Sequence, residues 1–88
     1  MNTGEHLRIE LMEAILDYLD GKKSFRTVLV LGITAHNRGN LQKYPNIAEV
    51  VSQLNAIENQ LANGEGNKFS PEKIKDIFTD MLEKLIED

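Results

Sequence analysis

Four stretches of this chain carry apolar residues at the three- and four-residue spacing of a helix. Each is bounded by glycine or proline. That pattern leaves little choice of fold, because such a stripe is stable only when it is buried against another. The last stretch is the sharpest. Ile74, Ile77, Phe78, Met81, Leu82, Leu85 and Ile86 fall on one side, with charged residues on the other. Ser70-Pro71-Glu72 announces its start: a capping hydroxyl, a proline whose missing N–H costs nothing there, and a carboxylate at the positive end of the helix dipole. The third stretch, Ile47, Val50, Val51, Leu54, Ile57 and Leu61, forms a narrow stripe. Asn46 is expected to cap it, with Glu49 completing a capping box. Gly64 is expected to end it in a left-handed conformation.

The first stretch, with Thr3 as expected cap and Gly21 as stop, bears two stripes rather than one. Leu7, Leu11, Ala14, Ile15 and Tyr18 make the first; Ile9, Met12, Leu16 and Leu19 make the second. Together they cover roughly 220° of arc at 3.6 residues per turn, against the ~100° that a surface helix needs. The second stretch starts after Ser24 and stops at Gly39. Its run Val28-Leu29-Val30-Leu31-Gly32-Ile33-Thr34 is rich in β-branched residues and has the propensity of a buried strand. No other segment offers a strand to pair with, and a lone strand is not stable, so the expectation is a helix. It is apolar on most of its circumference.

Helices are therefore expected at about 4–20, 24–37, 46–63 and 70–87. The links between them are short, and short links place consecutive helices antiparallel. The expected fold is all-α: an up-down-up-down antiparallel four-helix bundle, with residues 1–88 forming one domain. At 88 residues there is no room for a second core. The chain contains no cysteine, which excludes disulfides and thiolate chemistry and favours a reducing compartment. No apolar run approaches the ~20 residues of a membrane span. No basic-then-apolar leader is visible at the start. A soluble, cytoplasmic protein with no membrane association is the expectation.

The apolar surplus on the first two helices is the main functional signal. Four short helices share one small core, so some of Ile9, Met12, Leu16, Leu19, Val30 and Leu31 should face water. A contiguous patch of that kind usually marks an interface. The same residues would be hidden if the first two helices sat centrally and the rest wrapped them. The expected partner is a protein, in a homodimer or a heteromer.

Net charge is −4, unevenly spread. Glu10, Glu13, Asp17 and Asp20 share one face of the first helix, with His6 beside them. They read as a solvated face, or as an acidic strip for a basic partner. A carboxylate-bridged metal site in a bundle uses Glu-x-x-His pairs. Here Thr3 stands three residues before His6, and Ile33 three before His36, so no metal is expected. Asn63, Glu65, Gly66 and Glu72 echo a calcium loop, but Leu61 would occupy its first ligand position. The two histidines lack a nucleophile partner, the hydroxyls are largely spent as caps and helix positions, and no phosphate-binding glycine loop follows a strand. No catalytic residue and no cofactor are implied, and a non-enzymatic regulatory, inhibitory, immunity or accessory-subunit protein is expected.

The middle of the chain is basic. Lys22, Lys23, Arg26, Arg38 and Lys43 meet no acid between residues 21 and 46. They are the candidate nucleic-acid contacts of a second reading, although five dispersed bases make a weak electrostatic footprint. Part of this region, Ser24-Phe25-Arg26-Thr27-Val28-Leu29-Val30-Leu31 with Arg38, and then Val51 through Gly64-Glu65, resembles the small omega subunit of bacterial RNA polymerase. That resemblance covers about half the chain and implies association with the transcription machinery. It departs from the family at His36-Asn37-Arg38, where an Arg-Ala pair would stand. Leu61 to Ile74 is similar to the end of flagellar anti-sigma factors, whose first half is polar, unlike this one. Both stretches also read as ordinary helix punctuation, and no family is assigned from them.

Overall fold

The computed structural model describes residues 3–38 and 44–87, with side chains from residue 5 onward. The described residues form four α-helices and no strand: α1 (Thr3–Leu19), α2 (Phe25–Arg38), α3 (Pro45–Ala62) and α4 (Pro71–Glu87). One 3₁₀ turn, Gly66–Lys68, lies between α3 and α4. Residues 28–34, strand-like by propensity, are helical. Val28 and Leu29 are buried in the core there and Leu31 packs against it, and that burial overrides the local preference.

The helix ends follow from local chemistry. Ser24 accepts the Thr27 amide on its hydroxyl at 3.3 Å, and Ser70 accepts that of Lys73 at 3.2 Å. Each satisfies a donor that the first turn leaves without a partner. Gly21 (φ 78°) and Gly64 (φ 82°) are left-handed. After Gly21 the Lys22 amide reaches back to Asp17 O at 2.8 Å, and after Gly64 the Glu65 amide reaches Gln60 O at 3.0 Å. These six-to-one bonds close α1 and α3 in the same way. The cap expected at Thr3 and the stop expected at Gly39 lie outside the described residues and side chains.

One expected cap is overturned. Asn46 does not start α3: the helix begins at Pro45, preceded by Tyr44, with no side-chain cap bond. Proline preset at the first helical position removes one of the donors that a cap would serve. Asn46 is thereby free to work elsewhere. Its amide Nδ2 donates to Lys84 O at 3.1 Å, satisfying a carbonyl in the last turn of α4. Glu49, expected in a capping box, forms an ion pair with Lys84 instead. This reassignment has a measurable consequence. Asn46→Ala should cost about 1 kcal/mol, the usual net worth of such a bond. Asn46→Asp, a good substitute in a cap, should cost at least as much, because a carboxylate cannot donate to a carbonyl. Denaturant midpoints of the two variants check this; a neutral Asn46→Asp would restore the capping role.

The helices pack in a ring, α1 against α2, α2 against α3, α3 against α4 and α4 against α1. Their buried side chains form one core. Leu11, Ala14 and Ile15 enter from α1; Val28, Leu29 and Ala35 from α2; Ile47, Val50, Val51, Leu54 and Ile57 from α3; Ile74, Phe78, Met81 and Leu85 from α4. No polar side chain is buried among the described residues. The most extensive contact is between α2 and α3, where Gly32 meets Leu54 with no side chain in between. At one end of the core, Tyr18, Phe25 and Phe78 cluster, with ring centroids 5.2 to 6.1 Å apart.

Candidate functional site

The two apolar stripes of α1 meet different fates. The first, centred on Leu11, Ala14 and Ile15, is the core face. The second lies on the flank turned toward α4. Arg8 marks that flank: its guanidinium reaches across to Leu85 O at 3.4 Å and touches Met12 Sδ at 3.8 Å, while also pairing with Glu5. Met12 and Leu19 are half-buried against the core. Ile9 and Leu16, further round the helix, stand 45% and 47% exposed. They are seven residues apart, two helical turns, and so lie above one another on one face.

On α2 the expected pair divides. Leu31 is half-buried against the core, whereas Val30 is 50% exposed. At about 100° per residue, Val30 points away from the side that carries Val28, Gly32 and Ala35, onto the outside of α2, one turn before the half-buried Ile33. One exposed residue was not singled out. Ile86, at the end of the apolar stripe of α4, is 64% exposed. It sits one position beyond Leu85, about 100° off the core direction. The signal was present in the wheel, but a stripe that reads as core gives no warning that its edge is uncovered.

The acidic residues of α1 are at the surface. Glu13 and Asp20 are exposed. Glu10 pairs with His6 Nε2 at 2.6 Å, and Asp17 with Lys23 Nζ at 3.5 Å. Among the described residues, no three metal-capable side chains gather into one group. Glu65, from the loop that echoes a calcium site, is taken up by Lys68 Nζ at 2.6 Å.

Of the described basic candidates, three lie about the start of α2 and one at its end. Lys22 and Lys23 lie in the turn after α1, where Lys23 already faces Asp17. Arg26 and Arg38 are exposed at opposite ends of α2, about 18 Å apart along the axis at 1.5 Å per residue. Lys43 lies outside the described residues. No helix among the described residues is long and apolar enough to cross a membrane. Comparison with protein-family models, with curated proteins and with solved structures finds no match to this chain.

Proposed function

We propose that this chain is a non-enzymatic protein–protein interaction module, a small regulatory, inhibitory, immunity or accessory subunit, that binds through the apolar faces of its first two helices. The observation that carries this reading is the pair Ile9 and Leu16, large apolar side chains nearly half exposed on one face of α1. Full burial of such a side chain is worth about 1.5–3 kcal/mol, and with 45% and 47% of their surface still exposed roughly half of that is unrealised. A partner would recover that free energy, in a heteromer or in a homodimer. The registers of Arg8 with Leu85 and of Asn46 with Lys84 set the start of α1 and of α3 beside the end of α4. They favour the antiparallel up-down-up-down arrangement, a rigid frame on which such a face would be presented. With no cysteine in the chain, we place the protein in the cytoplasm. The nucleic-acid reading ranks second, because its bases are spread over both ends of α2.

Apolar-dye fluorescence and sedimentation over a concentration series test the proposal. The folded wild-type chain should bind dye or associate, and Leu16→Glu should weaken either behaviour several-fold with helix content unchanged. A folded wild-type chain that is monomeric at every concentration, binds no dye and is retained on nucleic acid in a salt-dependent way would overturn it.

A further inference from the structure

Ile9 and Leu16 do not stand alone. Arg8 Nη1 bound to Leu85 O fixes the seam between α1 and α4. On the α1 side of that seam lies Met12, with Ile9 and Leu16 beyond it. On α4, Lys84 is turned toward α3, where it pairs with Glu49. At about 100° per residue, Leu82 and Ile86 therefore lie on the opposite flank, toward α1. Helix geometry thus lines the α1–α4 seam with apolar side chains from both helices. Leu82 and Met12 lie half-buried along it, Ile86 stands exposed at its α4 edge, and Leu16 and Ile9 continue the apolar surface round onto the outer face of α1.

The borders of this strip are acidic. Glu13 stands one turn after Ile9, and Asp20 one turn after Leu16, both exposed. Along α4, Glu83 stands one turn before Ile86, and Asp76 lies further round on the same outer side, also exposed. Lys75, seven residues before Leu82 and so on its face, puts one exposed base within the strip, at the end away from Ile86. Arg8, within the strip, is matched by Glu5. From Ile9 to Leu19 the strip runs about 15 Å at 1.5 Å per residue, the length of roughly three helical turns.

We infer that the α1–α4 seam is a groove for a basic amphipathic helix of a partner protein. Apolar anchors at i, i+3 or i+4 and i+7 would fill the strip, and lysines or arginines on both sides would meet Glu13, Asp20, Asp76 and Glu83. Charge selects this occupant over a second copy of the chain. Two such faces brought together would oppose acidic borders, and like charges juxtaposed across an interface disfavour pairing. The inference rests on the proposed docking role of α1 and moves its other half from α2 to α4.

The test titrates the full chain with a synthetic helix of about 16 residues carrying leucine anchors flanked by lysine, with a glutamate-flanked version as control. Binding should be confined to the lysine version and weaken as salt rises. Leu16→Glu and Ile86→Glu should each weaken it at least 10-fold, the equivalent of about 1.4 kcal/mol of lost anchor burial. Ser52→Glu, on the outer face of α3, should leave it unchanged. Amide NMR shifts on binding should fall on α1 and α4. Loss with Val30→Glu but not with Ile86→Glu would overturn this inference while keeping a docking face on the first two helices. So would self-association of the wild-type chain that displaces the peptide. Equal binding of both peptides, or no effect of Leu16→Glu and Ile86→Glu, would remove the groove altogether.

Discussion

Replacing Phe78 with alanine is expected to remove about 3–5 kcal/mol of stability, the usual cost of emptying an aromatic site in a core. A chain of this length has of the order of 4–13 kcal/mol in total, at roughly 0.05–0.15 kcal/mol per residue. The variant should therefore stand at the edge of unfolding at room temperature. The reason is the position of the ring. Phe78 is fully buried, with Tyr18 edge-on at 5.2 Å and Phe25 at 5.6 Å. It joins α4 to the end of α1 and the start of α2, beside the turn that links those two helices. Urea unfolding followed by circular dichroism reads the effect. A loss under about 1 kcal/mol would mean that this end of the core is not packed as described.

Gly32→Ala carries the second large effect, and its sign is the informative part. Helix propensity alone predicts a gain of about 1 kcal/mol when alanine replaces glycine inside a helix. The structure predicts a loss. A Cβ at Gly32 would lie 2.5 Å from Leu54 Cδ1 and 2.6 Å from Leu54 Cβ. Rotating Leu54 removes the first clash but not the second, because its Cβ is fixed to the α3 backbone. The two helices would have to separate along their most extensive contact. Overpacking of that kind costs about 1–3 kcal/mol, enough to cancel the propensity gain of about 1 kcal/mol and leave a net loss of up to about 2 kcal/mol. Gly32→Leu should lose at least 3 kcal/mol by the same mechanism. A stabilised Gly32→Ala variant would show that α2 and α3 lie further apart.

These two sites mark the limit of what the sequence conveys. The four helices were legible because their apolar spacing, their capping serines and their closing glycines are local signals, and Ser24, Ser70, Gly21 and Gly64 act where those signals put them. Gly32 was legible only as a member of a strand-like run. The value of its missing Cβ depends on Leu54, which lies on another helix. Asn46 failed for the same reason. An Asn before a helical stretch reads as a cap, and nothing local says that a carbonyl of Lys84 waits for its amide. The candidate site was half legible. The wheel of α1 reveals more apolar arc than a neighbour can cover, but which stripe stays uncovered depends on where the other helices pack. Met12, Leu19 and Leu31 pack against the core; Ile9, Leu16 and Val30 stay about half exposed.

Carbene footprinting of the intact chain, once dilute and purified and once in its native cellular setting, addresses the docking claim at its source. Ile9 and Leu16 should label strongly in the purified chain, well above Leu11 and Ile15, and lose that labelling where a partner is present. Equal labelling in both settings, or side chains at 9 and 16 already shielded in the dilute chain, would contradict it.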